Sequence, residues 1–272
     1  CTDGSDASRA AAACAAWLAA RLPADLTGLH VLDIRMLEGP LLADVSGWIG
    51  AQPYSAQLGS VNALLRERGE AVLNAFADLC EKHGMQAETR FRTGHPVKTI
   101  LEEQRHTECL VLGRKGEHAD FVDRIGSTVE SVSRHCEKPC LVAGETFRPV
   151  RHIMAAFDGS AHAGDAMVQA AEFAQALDAE LTAVTAAEEN DGEPPEELAK
   201  EAVRIAQRHG ATANPLSVEG PAREAVLEAA RKRECDLLVV GAYGHSRIRE
   251  RILGSLPTWL LAHAPMSVLV VR

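Results

Sequence analysis

Apolar positions along the chain fall into short unbroken runs separated by longer stretches of helical periodicity. In the C-terminal half, residues 153–157, 181–185, 237–240 and 267–271 are such runs, and 213–218 reads as extended. Between them, 163–176, 196–209, 221–232 and 255–263 carry apolar residues at three- and four-residue spacing. Runs this short without polar alternation predict strands covered on both faces. Strands alternating with helices imply right-handed crossovers and a mostly parallel sheet. The N-terminal half follows suit, with strands around Val31, 110–112 and 141–143 and a helix over 62–83.

The two halves are copies of one unit. Asp3-Gly4-Ser5 recurs as Asp158-Gly159-Ser160. Gly113-x-x-Gly116, nine residues and Gly126-Ser127 recur as Gly241-x-x-Gly244, nine residues and Gly254-Ser255. A fixed spacing repeated with the same upstream triplet marks a tandem architecture. The expected fold is therefore α/β: two tandem, doubly wound, Rossmann-like, five-stranded and mostly parallel sheets, residues 1–147 and 148–272. Residues 145–151, with Pro149, form the linker.

The copies differ in length, since Asp3 to Gly113 is 110 positions and Asp158 to Gly241 only 83. The excess falls in residues 35–60, where Gly39-Pro40, Gly47, Gly50, Pro53 and Gly59 predict a loop or flap rather than one helix. Its counterpart at 188–201 is short and acidic, with Pro194-Pro195 starting a helix. The second copy has residues 152–157 ahead of its Asp-Gly-Ser, whereas the first has Cys1-Thr2, so a clipped first strand is expected there. The apolar runs 141–143 and 267–271 are edge candidates expected to pair and make an internal pseudo-dimer.

Composition narrows the function. The 272 residues are 46% hydrophobic and 24% charged, as in globular proteins, and a formal net charge of −10 disfavours nucleic-acid binding. No apolar run reaches the ~18–20 residues that span a bilayer, and no signal peptide opens the chain, so a cytoplasmic protein is expected. Seven cysteines argue against a disulfide framework, with Cys109, Cys140 and Cys235 beside apolar runs as small hydrophobes. Cys136 and Cys140 are four apart, but one ends a helix and the other opens a strand beyond Pro139, so helix geometry does not converge their sulfurs. No metal site is expected.

In a doubly wound sheet, ligands sit outside the carboxyl ends of the strands, where the strand order reverses. Asp3 and Asp158 follow the first strand of each copy, and Gly113 and Gly241 follow the fourth, on the other side of that point. Glycines admit an anion close to the backbone, and the helix starts at Gly126-Ser127 and Gly254-Ser255 offer N–H donors to a phosphate. Each Ser hydroxyl either caps its helix or turns to a phosphate oxygen. The bland alternative is a pair of turns with ordinary Ser caps, and Asp-Gly-Ser alone is compatible with an Asx turn.

These residues resemble the universal stress protein family. Gly241-Ala-Tyr-Gly244-His-Ser-Arg-Ile-Arg-Glu-Arg-Ile-Leu-Gly254-Ser255, with Ala264-Pro-Met-Ser-Val-Leu-Val-Val-Arg272, looks like that family's C-terminal signature, and Asp158-Gly159-Ser160 matches its opening. The glycine spacing is the form associated with ATP-binding members. The resemblance implies Asp158 and Val184 near adenine and ribose, and Gly241, Gly244, Gly254 and Ser255 around the phosphates. The equivalent first-copy set is Asp3, Val31, Gly113, Gly116, Gly126 and Ser127. His245, beside the phosphate turn, is a candidate anion donor, Arg247 supplies charge there, and Thr128 adds a hydroxyl where the second copy has Leu256. The implied protein is a cytoplasmic, ATP-binding stress-response regulator that takes Mg²⁺ only with its nucleotide. A homodimer of the whole chain is compatible with this but has no separate sequence support.

A transferase of the wider adenine-nucleotide α-hydrolase group would share this sheet. Its His-x-Gly-His and Ser-Gly-Gly-x-Asp-Ser loops are absent, as is a Walker Gly-Lys-Ser/Thr. Slow ATP hydrolysis and a ligand-free interaction protein stay open. Charge ranks the two copies: residues 117–125 carry a net −2 and residues 245–253 a net +2, so the second site is expected to bind ATP better. Arg114 and Lys115 oppose that ranking.

Overall fold

In the second copy, β5 (His152–Ala156), β6 (Glu180–Ala187), β7 (Ala213–Glu219), β8 (Leu237–Gly241) and β9 (Ser267–Val271) lie in the order β7-β6-β5-β8-β9, all parallel. The chain winds from β5 outward to β7, then returns to β8 on the other side, so the order reverses between β5 and β8. The helices between them are α6 (Ala161–Leu177), α7 (Pro195–Arg208), α8 (Ala222–Lys232) and α9 (Ser255–His263). The computed structural model describes residues 1–38, 52–116, 125–187, 194–243 and 253–272.

The first copy contributes α1 (Asp6–Arg21), β1 (Leu26–Asp33), α2 (Arg35–Glu38), α3 (Gln52–Lys82), β2 (Ala87–Gly94), α4 (Pro96–Glu103), β3 (Leu110–Leu112), α5 (Ser127–His135) and β4 (Cys140–Val142). The two last strands pair antiparallel, with Cys140 opposite Val270, Leu141 opposite Leu269 and Val142 opposite Val268. The expected internal pseudo-dimer is thus present as one seven-stranded sheet, β3-β4-β9-β8-β5-β6-β7.

Two expectations need correction. Among the described residues the first copy has four strands rather than five: β1 and β2 form a separate parallel pair, and β3 joins only β4 of its own copy. In the second copy β5 holds the halves together by bonding both neighbours. In the first, that place holds Cys1 and Thr2, whose nitrogens donate to Val111 O (2.8 Å) and Leu29 O (2.9 Å). Two residues bridge the pairs without completing a ladder. A cavity of about 100 Å³, lined in part by Thr2, Ala11, Gly28, Leu29, Phe76 and Val111, lies between them. Residues 52–60, expected in a loop, belong to α3, and 35–38 form α2; residues 39–51 lie outside the described set. Pro53 is tolerated because it falls in the first turn, where its missing N–H has no intrahelical partner, and Gly59 costs only about 1 kcal/mol in a 31-residue helix.

Side chains alternate through the sheet into two cores. Leu141, Ile153, Leu181, Leu237 and Leu269 pack on one face with Ala and Met residues of α6 and with Trp17 and Leu18 of α1. Cys140, Val142, Met154, Leu238, Val268 and Val270 pack on the other with Val132 of α5, Leu227 of α8 and Leu260 of α9. Both cores draw on both copies. The alanines of α6 at 163, 166, 170, 171 and 174 are buried and bring its backbone close to the strands.

Candidate functional site

The turn after β5 places Asp158 at the reversal point, where Phe157 N–H donates to Val184 O (2.9 Å). Ser160 N–H donates to Asp158 Oδ1 (3.0 Å), and Ser160 then caps α6, its Oγ accepting from Ala163 N–H (3.2 Å). Gly159, at φ 81°, makes the bend between them. The first copy repeats this geometry: Ser5 N–H donates to Asp3 Oδ1 (3.0 Å), Gly4 has φ 86°, and Ser5 caps α1 by accepting from Ser8 N–H (3.1 Å). Asp-Gly-Ser is thus an Asx turn in both copies.

The glycine turns close on these loops. A Cβ on Gly241 would stand 2.7 Å from the His162 carbonyl, and one on Gly113 at 2.7 Å from that of Ala7. Both positions need glycine because β8 and β3 meet a helix backbone there. Gly126 N–H donates to Arg114 O (3.0 Å), and Gly254 N–H to Ala242 O (2.8 Å), so each turn is tied to the start of its helix. Gly116 lies against Asp3, its Cβ position 3.0 Å from Oδ2, and a Cβ on Gly126 would stand 3.5 Å from Gly116 N. Asp3, Gly116 and Gly126 therefore lie together in the first copy, and in the second Gly254 closes on the turn that follows Gly241.

The serines are not the caps. Gly126 and Gly254 occupy that position with no side-chain cap bond, and Ser127 and Ser255 are the first helical residues, both exposed. The first N–H groups of an α-helix have no intrahelical partner, and the positive end of the helix dipole adds to their pull on an anion. Thr128 is half-buried in the same first turn of α5. Gly244, His245 and Arg247 lie outside the described residues, as does most of both nine-residue gaps.

Register refines one assignment. Phe157 N–H bonds Val184 O, and its counterpart Thr2 N–H bonds Leu29 O, so Leu29 rather than Val31 stands where Val184 stands. Val31 lies two residues further on, half-buried on β1. The Val184 side chain is buried under the site.

Sequence reasoning missed several neighbours of the turns. The His162 ring lies 5.0 Å from that of Tyr243, with its Nδ1 buried and without a hydrogen-bond partner. Arg272 donates to Tyr243 Oη (2.6 Å). Arg114 points away from the first-copy turn and donates to Leu261 O (2.7 Å) and Met266 O (2.9 Å). The sequence signal for Tyr243 was its place between the paired glycines, and Arg114, read there as positive charge beside the first loop, serves other acceptors.

Cys136 caps the end of α5 and Cys140 opens β4, as the sequence predicts. Residues 137–139 fold back so that the Cys140 thiol bonds Cys136, although both belong to different elements. This bond, helped by the Arg272 guanidinium, holds Cys136 below the ordinary thiol range, while Cys140 is held well above it by the same bond and by burial. Because its folded value lies below the unfolded one, Cys136 contributes stability at alkaline pH that is lost as pH falls through the folded value; Cys140 acts in the opposite sense. An absorbance titration of folded protein should show one thiolate forming below the usual cysteine range, with that step absent in Cys136→Ser. Among the described residues, no group of three or more His, Cys, Asp or Glu could hold a metal ion, and no helix is long and apolar enough to cross a membrane.

Comparison with known proteins gives matches over the whole chain. The model of the universal stress protein family matches twice, at residues 1–144 and 149–272. A universal stress protein of Synechocystis sp. is 28% identical over 283 residues, covering 100% of this chain and 98% of that protein. One of Thermus aquaticus is 36% identical over 133 residues, covering 44% of this chain and 97% of that protein. The crystal structure of a universal stress protein from Archaeoglobus fulgidus shares the fold, with a TM-score of 0.75 and 19% identity over 100% of this chain and 96% of that one.

Proposed function

Since the chain belongs to the universal stress protein family, in tandem form, we propose that it binds ATP where β8 turns into α9 and acts as a nucleotide-dependent regulator rather than a fast catalyst. The observation that carries this reading is the start of α9: a glycine cap with no side-chain bond, an exposed Ser255, and Gly241 pressed on the His162 backbone of α6, the helix that follows the Asp158 turn. Such a surface presents backbone donors to a phosphate and an acidic acceptor to a ribose hydroxyl. Mg²⁺ enters only with the triphosphate. The role is one of occupancy: a partner protein reads the nucleotide-bound conformation. Heating purified protein and identifying the released ligand by mass spectrometry tests the reading directly; adenine nucleotide at near-stoichiometric yield is expected. Ser255→Ala should weaken ATP binding by about ten- to a hundredfold, since a hydrogen bond to a charged group contributes about 1.5–3 kcal/mol.

We further propose that the second-copy site is the stronger one. One observation supports this ranking beside the charge of the gaps: Arg114, which would offset the acidity of the first site, has its guanidinium turned to Leu261 O and Met266 O. In calorimetry, Gly116→Glu should spare the tighter ATP-binding event, and losing that event in this variant alone reverses the ranking.

A further inference from the structure

We infer that Arg272 and Arg114 are positioning residues that couple the two glycine turns, each tying the turn of one copy to the far end of the other copy's site helix; this rests on the ATP-site reading above. Arg272 donates through Nη1 to Tyr243 Oη (2.6 Å), inside the second-copy turn. Through Nη2 it donates to Ser133 O (3.0 Å) and Arg134 O (2.6 Å), the last carbonyls of α5, whose first residue is Ser127 of the first site. Its guanidinium also stands 5.4 Å above the Tyr243 ring, which in turn packs on His162 in the first turn of α6.

Arg114 does the converse. Its carbonyl accepts from Gly126 N–H at the start of α5, and its guanidinium donates to Leu261 O near the end of α9, whose start is Gly254. Ser133 and Leu261 are the seventh residues of their helices, so the two arginines cap equivalent carbonyls although they come from unrelated positions of the repeat. Copy two has Ala242 in place of Arg114, and copy one has Lys115 in place of Tyr243. The repeat alone therefore does not require this exchange.

A cation at the C-terminal carbonyls stabilises a helix, and an anion at its N-terminus does the same from the other end. Each site helix is thus held at its start by its own turn and at its finish by an arginine attached to the other turn. A nucleotide that orders Tyr243 in the second site orders Arg272, and with it the last turn of α5. Rigid elements joined by hydrogen bonds carry coupling of this kind, and ordering by one ligand lowers the cost of binding a second. ATP at the second site consequently stabilises α5 and favours nucleotide at the first.

Hydrogen exchange with mass spectrometry on the full chain tests this, with Gly116→Glu as the background so that direct binding at the first site is blocked. Saturating ATP is expected to slow exchange across Ser127–His135 by roughly fivefold, the lower end of ordinary coupling between sites. Adding Arg272→Met should abolish that response while protection at the start of α9 persists. Tyr243→Phe, which leaves Arg272 on the α5 carbonyls, should weaken it. If ATP protects the start of α9 but leaves α5 unchanged, or if α5 still responds in the Arg272→Met variant, the coupling is refuted and the binding site stands. If ATP changes exchange nowhere, both readings fall.

Discussion

Replacing Gly254 with Glu is expected to lower ATP affinity at the second site by about a hundredfold while leaving the protein folded. Gly254 has φ −59° and ψ 164°, which any residue adopts, and a Cβ there meets Ala242 O at 3.2 Å and Pro257 Cδ at 3.5 Å. The fold therefore absorbs the side chain with a shift of a few tenths of an ångström. A carboxylate at the first turn of α9 even gains roughly 0.3–1 kcal/mol from the helix dipole. The same carboxylate competes with the phosphates for the N–H donors and repels them. A unit-charge pair at ~4 Å is worth about 1 kcal/mol in water and about 4 kcal/mol near a protein surface, so a loss of about 2.7 kcal/mol, or a hundredfold, lies within that range. Calorimetry checks the affinity and circular dichroism the fold. A folded Gly254→Glu protein with unaltered ATP affinity would falsify the pocket.

The second large effect concerns the seam between the copies. Leu141 and Leu269 face one another across β4 and β9, each no more than 1% exposed. Truncating either to Ala removes buried methyl groups and leaves a cavity that the paired strands cannot close, costing about 2–5 kcal/mol. For a chain of this size that corresponds to a fall in Tm of roughly 5–15 °C. Because the residues touch, the double variant should lose less than the sum of the singles, by about 0.5–3 kcal/mol. Both cores contain side chains from both copies, so heating should melt them in one calorimetric transition. Two separate transitions, with Leu269→Ala moving only the second, would show that the seam does not join the copies energetically.

The amino-acid order by itself determined the elements and where the candidate chemistry lies. The runs 237–240 and 267–271 and the periodic stretch 255–263 became β8, β9 and α9, because burial on both faces and the 3.6-residue repeat are local properties of the chain. Asp-Gly-Ser also reads true as a turn, since an Asx turn and a left-handed glycine are short-range geometry. The structure alone decided what depends on partners far along the chain. Which residue of β1 pairs beside the site is invisible to local pattern, which is why Leu29, two residues before Val31, proved equivalent to Val184. Only folding brought Cys140 against Cys136 across Pro139. Arg114 looked like charge for a phosphate from its place between two glycines, yet its guanidinium serves carbonyls 147 and 152 residues away. Sequence spacing states which backbone a residue belongs to; the direction of a long side chain is set by whichever buried acceptor the packed helices leave unsatisfied.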